Sequence, residues 1–361
     1  MNKTPIIFAL AALCTVGTAF GSWVFTNDIN KIDVEVEEDI GLSSPKLYTI
    51  SYKGFNDSSN MTSFVFGKDF VDIDGFKNTY VTGVKMGETD LVEKQDFYIN
   101  NDTFSVPNLT DDLEISAIQP VTQDLMASTS KYNRTDEEFG DFKVYNETDL
   151  YDGNNGDLEY SNAGGLKVTG DLPVAYLDLN DTSLPKITNA FTANLTIKGD
   201  PDRYHEQSGH QFPSAIIGIR DIDVEGYLLW VGFFKEYLHI YAFRRDNWDA
   251  EKTGEKEYGF ISIPFSQFAL KVVNVHVVAQ SGKVDGAHVY INDGTKEVSY
   301  SFNTNSITVD YDHFTLGDLH IGRNLKLDGY IYDVSIYNRA LTRAEIDQNV
   351  AYAKAAFPLG I

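Results

Sequence analysis

The C-terminal segment limits the possible folds more than any other part of this chain of 361 residues. From Gly329 to Tyr337, aromatic and aliphatic side chains recur at every second position, and this period predicts a β-strand with one mostly apolar face. Thr342 and Glu345 then form the Thr-x-x-Glu pattern of a helix capping box. Apolar residues follow at helical spacing as far as Phe357. The sequence therefore predicts a final strand and, directly after it, one short capped helix.

The chain as a whole has the composition of a β protein, with 21 Tyr and 23 Phe. Aromatic and β-branched residues favour strands, whereas clusters of Gly, Asn and Asp interrupt them. In residues 149–361, short strand patterns such as Phe191–Ile197, Tyr237–Phe243 and Val272–Ala279 alternate with turns about every ten residues. This spacing predicts an all-β fold, with a two-sheet sandwich in the C-terminal part.

Two stretches carry a resemblance to a known family: GYIYDVSIYNRALTRAEI, which begins at Gly329, and AHVYIND, which begins at Ala287. Over residues 149–361 the chain resembles the laminin-G-like jelly rolls of the concanavalin A-like lectin and glucanase superfamily. The resemblance implies a jelly roll with a short terminal helix, in a family that binds ligands more often than it catalyses. This chain has Thr196 where the family often has tryptophan, and Asn274–Val277 where it often has Trp-His-His-Val. The resemblance therefore does not identify the ligand.

Changes in composition divide the chain into five segments. Residues 1–25 are predicted to be a signal peptide or membrane anchor, 26–46 an acidic stalk, 47–120 a small β module, 121–148 a linker without clear periodicity, and 149–361 the jelly roll. The small module resembles the immunoglobulin-like repeat modules of bacterial surface proteins. That resemblance implies a spacer that carries no site of its own.

The N-terminus has the features of an export signal. Lys3 precedes an apolar run from Pro5 to Phe25, and small residues favour cleavage after Gly21. The alternative is an uncleaved anchor, because about twenty apolar residues are long enough to span a bilayer. Both alternatives place the body of the protein outside the cytoplasm. The single cysteine, Cys14, lies in this run, so no intramolecular disulfide is possible.

The formal net charge of −24 limits the possible partners. An acidic protein repels phosphate backbones, so nucleic acid is excluded as a partner. Membrane contact is expected only through residues 5–25, if this run is not cleaved. The many carboxylates also provide oxygen ligands for hard cations such as Ca²⁺.

The predicted ligand-binding residues are Asp246, Asn247, Trp248 and Asp249, in the polar loop that follows the strand pattern ending near Phe243. A tryptophan ring can stack on the apolar face of a sugar, and Asp and Asn side chains can form hydrogen bonds to its hydroxyl groups. Loops on a rigid scaffold are also where binding residues concentrate. The alternative is that Trp248 folds back over the edge of the sandwich.

Calcium is the one cofactor that the sequence suggests. Related lectin-like sandwiches often hold Ca²⁺ at loop rims, and the resemblance implies the same for this chain. Asp221 with Asp223, or Asp246 with Asp249, are the candidate ligands. Because Ca²⁺ takes about six to eight oxygen ligands, these pairs would supply only part of a site.

No catalytic residue is predicted. Asp221, Asp223 and Glu225 resemble the Glu-x-Asp-x-Glu strand of concanavalin A-like β-glucanases, which are retaining hydrolases. Retention needs two carboxyl groups about 5–5.5 Å apart, and the shorter Asp221 would widen that gap. Gly226 follows the motif and favours a turn between two strands over the middle of a strand. A retaining glycosidase is therefore kept only as the second alternative.

The sequence as a whole predicts an exported or cell-surface binding protein. Its jelly roll is expected to recognise a glycan or a surface protein and to support adhesion. The first alternative is a structural subunit of a surface fibre or virion that assembles with copies of itself and has no glycan ligand.

Overall fold

The structure is a computed structural model, and it describes residues 46–56, 62–66, 71–100, 102–129, 138–144, 161, 163–168, 175–177, 187, 189–199, 214–221, 226–234, 236–245, 258–307, 313–316 and 329–361. These residues form β-strands, one α-helix and one 3-10 turn, which confirms the all-β prediction. Within this part of the chain, no helix is long and apolar enough to cross a membrane. The predicted signal or anchor and the predicted stalk up to residue 45 lie outside the described residues.

The chain divides into two compact units, Met1–Gln119 and Pro120–Ile361. The first unit contains β1 (Leu47–Lys53), β2 (Thr62–Phe66), β3 (Val71–Ile73), β4 (Tyr80–Met86), β5 (Thr89–Asp90), β6 (Tyr98–Asn100), β7 (Thr103–Val106) and β8 (Leu113–Ile118). A five-stranded sheet has the order β2-β1-β8-β4-β5, and a three-stranded sheet has the order β3-β7-β6. Apolar residues of both sheets, among them Ile50, Phe104 and Ile115, form one core. The unit is thus a small β module; an immunoglobulin-like topology stays a prediction.

The second unit contains the sandwich and the helix. Its elements are β9 (Leu125–Ser128), β10 (Glu138–Phe139), β11 (Phe142–Val144), β12 (Leu166–Val168), β13 (Ala175–Tyr176), β14 (Ala190–Gly199), β15 (Ser214–Asp221), β16 (Gly226–Phe234), β17 (Tyr237–Arg245), β18 (Phe260–Pro264), the 3-10 turn Ser266–Phe268, β19 (Val273–Gln280), β20 (Ala287–Asn292), β21 (Glu297–Phe302), β22 (His313–Leu316), β23 (Gly329–Tyr337) and α1 (Arg343–Ala356).

Two sheets make up this sandwich. The front sheet has eight strands in the order β10-β11-β13-β22-β15-β16-β17-β18. The back sheet has the order β12-β23-β14-β19-β20-β21, and β9 also pairs with β23. Alternate residues of each strand point between the sheets, so that Leu195 and Val275 of the back sheet share one core with Val231 and Ile240 of the front sheet. The other face of each sheet points away from this core.

The predicted linker 121–148 is wrong for its described parts. Strand β9 pairs with β23 through Ser128 and Ser335, and β11 pairs with β13 in the front sheet. Phe139 and Phe142 are fully buried in the core of the sandwich. Residues 120–129 and 138–144 therefore belong to the jelly roll, and their burial explains why they are ordered strands instead of a spacer.

The terminal strand and helix form as the sequence predicts. Thr342 caps α1: its hydroxyl accepts from the Glu345 backbone N–H, and the Glu345 carboxylate accepts from the Thr342 backbone N–H at 2.7 Å. Arg339 donates to both carboxylate oxygens of Glu345 and to Asp124. The Arg339 guanidinium, as the largest cause, holds the pKa of Glu345 at about 2. This ion pair fixes the start of α1 next to the end of β23.

The outer face of the back sheet is polar and yet buried. Its outward-pointing side chains include Thr192, Asn194, Thr196, Asn274, His276, Asp333 and Ser335, each at most 3% exposed. Helix α1 and the segment that begins at Val121 contact this face, and Ile346 and Val350 pack against Val121, Val278 and Tyr337. The sequence predicts His276 on the polar face of its strand beside Asn274, and the structure agrees. The predicted mostly apolar face of β23 is also observed, but its other face lies against protein and not against water.

Candidate functional site

The outer face of the front sheet presents a cluster of aromatic and basic side chains. In β17, Leu238, Ile240 and Ala242 are fully buried in the core, so Tyr237, His239 and Tyr241 point outward. In β16 and β18, Tyr227, Trp230 and Phe260 point outward in the same way, and Arg244 joins them at the end of β17. We call these seven residues the aromatic face: Tyr227, Trp230, Tyr237, His239, Tyr241, Arg244 and Phe260.

A break in alternation brings Tyr227 and Arg244 to this face. Leu228 and Leu229 are both in the core, and so are Ala242 and Phe243 in the neighbouring strand. Phe243 has a φ of 47°, which is uncommon for a bulky residue. The extra inward residue occurs at corresponding register positions of β16 and β17. Tyr227 therefore stays opposite Arg244. The irregularity therefore turns an arginine outward that strict alternation would place in the core.

The central rings are held by contacts across three strands. Trp230, Tyr241 and Phe260 occupy neighbouring register positions on β16, β17 and β18. The Trp230 and Tyr241 rings stack with centroids 4.9 Å apart, and Tyr241 meets Phe260 edge to face at 5.2 Å. The Arg244 guanidinium carbon lies 4.1 Å from the Tyr241 ring centroid. Such contacts fix side-chain orientation before any ligand arrives.

The exposure of these rings differs across the face. Trp230 is only 6% exposed and Tyr227 only 9%, so they form the floor of the cluster. Tyr241, His239, Arg244 and Phe260 are half-buried, and Tyr237 is 39% exposed. The half-buried rings and the guanidinium group are therefore the groups that a ligand can contact directly.

His239 is neutral at physiological pH. Burial, and after it the positive charge of Arg244, lowers its pKa from 6.5 to about 4. A neutral imidazole has one donor and one acceptor nitrogen, which suits the hydroxyl groups of a sugar.

Among the described residues, two polar atoms on the outer face have no hydrogen-bond partner. These are the buried hydroxyl of Thr315 and the buried Nε atom of Arg220. Gly218 is opposite Thr315 in the register and two residues before Arg220 in β15, and a Cβ at that position would point toward Trp230 and Thr315, which places Gly218, Trp230 and Thr315 on one face. Buried polar groups without partners cost about 1–3 kcal/mol each. The outer face therefore holds unused hydrogen-bonding capacity beside its aromatic rings.

The side chains of the residues predicted from the sequence are not among those that the structure describes. Asp246, Asn247, Trp248 and Asp249 lie outside the described residues, and they follow directly on β17, which ends at Arg245. Asp223 also lies outside them, and for Asp221 only the backbone at the end of β15 is described. The ligand-binding and Ca²⁺ assignments of these residues stay predictions.

Of the glucanase-like motif, the structure describes only the strand ends on either side. Strand β15 ends at Asp221, and β16 begins at Gly226 opposite it in an antiparallel pair. Glu225 lies outside the described residues. The catalytic arrangement of a retaining glucanase needs its acids on one face of a single strand, and the described strand ends do not provide this.

No group of three or more His, Cys, Asp and Glu side chains suited to a metal ion occurs among the residues that the structure describes. The described residues therefore offer no alternative to the predicted Ca²⁺ ligands.

Sequence reasoning missed the aromatic face because nearly every residue of β16 and β17 is apolar or aromatic. YLLWVGFF and YLHIYAFRR read as strands buried on both faces. The available signal was His239 in the middle of β17, since a polar residue flanked by Leu238 and Ile240 marks the outward positions. This signal also places Tyr237 and Tyr241 outward.

Comparison with known proteins supports the fold. Residues 175–347 match the family model of the concanavalin A-like lectin and glucanase superfamily. No curated protein matches the chain.

Two solved structures show distant similarity. One is the binding domain of botulinum neurotoxin DC in complex with rat synaptotagmin II, with 13% identity, a TM-score of 0.42, and coverage of 64% of this chain and 52% of that chain. The other is Trypanosoma rangeli sialidase in complex with sialic acid, with 18% identity, a TM-score of 0.41, and coverage of 64% and 33%. This chain thus spans about half of the first and a third of the second. Likeness at this level indicates nothing about ligand or activity. The match of the family model is the informative one: residues 175–347 match the model of the concanavalin A-like lectin and glucanase superfamily, the family that the closing motif at Gly329 resembles.

Proposed function

We propose that this chain is a non-catalytic carbohydrate-binding protein of the cell surface or extracellular space, and that its aromatic face binds the saccharide. The observation that carries the proposal is the combination of ordered outward rings with buried, unpartnered polar atoms on one sheet face. Sugar rings have apolar C–H faces that stack on aromatic side chains, and hydroxyl groups that satisfy polar atoms.

The proposed contacts follow from exposure and chemistry. Tyr241 and Phe260 stack on the sugar ring, His239 exchanges hydrogen bonds with hydroxyl groups, and Thr315 supplies a hydroxyl at the floor of the site. Because Trp230 is nearly covered, it supports Tyr241 from behind and makes little contact itself. A shallow single site of this kind binds weakly, and many copies on one surface would raise the avidity for adhesion.

The absence of catalysis is part of the proposal. Retaining glycosidases use two carboxyl groups on either side of the scissile bond. Strands β16, β17 and β18, which carry the aromatic face, contain no Asp or Glu. The face therefore supplies aromatic and neutral polar contacts but no pair of acids.

The predicted loop site and calcium site are compatible with this location. Asp246–Asp249 follow the last residue of β17, next in the chain to Arg244 and Arg245. We propose that Trp248 extends the ring platform and that Ca²⁺, bound through Asp221 with Asp223 or through Asp246 with Asp249, orders the loops at that end. A chelator such as EDTA is expected to weaken saccharide binding and to leave the fold of the front sheet unchanged.

The test is a saccharide array probed with the full chain, before and after chelation. Tyr241→Ala is expected to weaken binding to the recognised saccharide at least tenfold, because it removes both the ring and the support for Arg244. Tyr98→Ala is the matched control, since Tyr98 is an exposed tyrosine of β6 in the first unit.

Equal binding by the parent, Tyr241→Ala and Tyr98→Ala would remove the aromatic face as the site. A folded chain that binds no saccharide on the array would refute the proposed function and favour the structural subunit that assembles with its own copies.

A further inference from the structure

The outer face of the front sheet carries two arginine side chains on a strongly acidic protein. The chain has 53 acidic and 29 basic residues, yet β16, β17 and β18 contain no acid and Arg244 lies on the outward side of β17. Arg220 lies on the outward side of β15, because Ile217 and Ile219 point into the core. The outer face therefore brings two basic side chains close together.

The two arginines flank one aromatic residue. Tyr227 is opposite Arg220 on one side and opposite Arg244 on the other. Adjacent strands are about 4.8 Å apart, so the two arginine Cα atoms are roughly 10 Å apart. Both long side chains can therefore reach the space above Tyr227, and both can contact one charged group or two groups on neighbouring sugar units.

The fold alone does not satisfy the hydrogen-bonding capacity of the Arg220 side chain. Its Nε atom is buried and has no hydrogen-bond partner. A guanidinium group presents donors in a planar fork that matches a carboxylate or a sulfate, and a donor left unused in a buried position is costly. The Thr315 hydroxyl, buried and unpartnered two register positions away in β22, adds a further donor.

After burial, the positive charge of Arg244 is the second cause that lowers the pKa of the neighbouring His239. A positive charge this close to the imidazole also favours an anion bound beside it.

We propose that the saccharide bound at the aromatic face is acidic, and that Arg220 and Arg244 bind its carboxylate or sulfate group. This inference rests on the proposed function and specifies the class of ligand. Sugar rings stack on Tyr241 and Phe260, while the anionic substituent lies over Tyr227 between the two guanidinium groups. The arginine pair then determines specificity, and the rings supply affinity that acidic and neutral saccharides share.

The experiment compares matched saccharides that differ only in charge. One pair is an oligogalacturonide and its methyl ester; another is a sulfated oligosaccharide and its desulfated form. The full chain is expected to bind the acidic member of at least one pair ten or more times more tightly than the neutral member. The pair that shows the preference identifies carboxylate or sulfate as the recognised group.

Variants separate charge recognition from stacking. Arg220→Gln and Arg244→Gln are each expected to reduce the acidic-to-neutral affinity ratio toward one, with neutral binding changed less than about threefold. Arg244→Lys keeps the charge but loses the planar fork, so it is expected to keep only part of the preference. Lys85→Gln is the matched control: it removes one positive charge from an exposed side chain of β4 in the first unit and should leave the ratio unchanged.

The outcomes are distinct. Equal affinity for both members of every pair, or a ratio that both glutamine variants leave unchanged, overturns the inference and leaves carbohydrate binding intact. Binding of no saccharide, acidic or neutral, overturns the proposed function itself. A circular dichroism spectrum and a melting curve for each variant exclude misfolding as the cause of a lost preference.

Discussion

Replacing Asn349 by alanine is expected to lower the free energy of unfolding of the second unit by about 2–4 kcal/mol. Asn349 is fully buried in α1, and its side-chain oxygen accepts from the Val121 backbone N–H at 2.8 Å. Its side-chain nitrogen donates to the Tyr337 hydroxyl at 3.2 Å, and that hydroxyl donates to the Val121 carbonyl at 3.0 Å. Alanine would leave a buried backbone N–H without a partner and would open this closed set of hydrogen bonds.

The direction of the effect is informative because helix propensity opposes it. Alanine is the better helix former, by about 0.5 kcal/mol or more. A loss of stability therefore reports lost tertiary contacts, both hydrogen bonds and packing, and not helix propensity. Lys354→Ala, at an exposed position of the same helix, is the matched control and should change stability by less than about 0.5 kcal/mol.

Urea unfolding followed by tryptophan fluorescence is the measurement. The tryptophans are Trp23, Trp230 and Trp248, so none lies between residues 24 and 229, and Trp230 reports on the front sheet. An Asn349→Ala midpoint indistinguishable from that of Lys354→Ala would show that the Val121 contact does not stabilise the sandwich.

The two sides of this contact differ in how far the sequence predicts them. The final strand and helix were predictable because their signals are local: a period of two from Gly329 to Tyr337, and a capping box four residues long. The role of residues 121–144 was not predictable in the same way. Strands β9, β10 and β11 have only two to four residues each, and they join the two sheets through distant partners: β9 pairs with β23, as in Ser128 with Ser335, and β11 pairs with β13. Short strands stabilised by long-range pairing leave little periodicity in the sequence.

The candidate site could not be located from the sequence for a different reason. Sequence reasoning selected Trp248 because an aromatic residue among polar neighbours is conspicuous, whereas Trp230 and Tyr241 are surrounded by Leu, Val and Ile. A strand that is apolar on both faces does not reveal which ring points outward until the core is known. Core burial of Leu238, Ile240 and Ala242 decides this for β17. The fold class and family could therefore be predicted, but the face that holds the site required the packing.

Acidification is expected to destabilise the second unit through His276. This side chain is fully buried in β19, and neither ring nitrogen has a hydrogen-bond partner. The charged groups that act on it are Arg343 and Asp347 of α1, while Asn194 of β14 and Tyr290 of β20 are its neighbours in the sheet. Burial, and after it the charge of Arg343, lowers its pKa from 6.5 to about 3.

The direction of this change in stability with pH follows from proton linkage. Below pH 6.5 the unfolded chain binds a proton at this histidine and the folded chain does not, so stability falls as the pH falls toward 3. Each pKa unit is worth about 1.4 kcal/mol, which gives a loss on the order of 3 kcal/mol between pH 6.5 and pH 4. Asp293 and Glu345, whose pKa values are held near 2 from ordinary values of 3.8 and 4.5, begin to contribute below about pH 5, so the slope above pH 5 is the one free of their effect.

His276→Leu is the decisive variant. It removes two unpartnered polar atoms at nearly constant volume, so stability at pH 7 is expected to be equal to or greater than that of the parent. Between pH 6.5 and pH 4 the slope of stability against pH should fall by about half, because His239, whose pKa is lowered to about 4, contributes a slope of similar size. His239→Gln is the matched comparison and should remove about the other half of the parent slope. If urea unfolding gave the same slope for His276→Leu and the parent, His276 would not be the group that senses acid, and the buried layer beneath α1 would have to accommodate its charge.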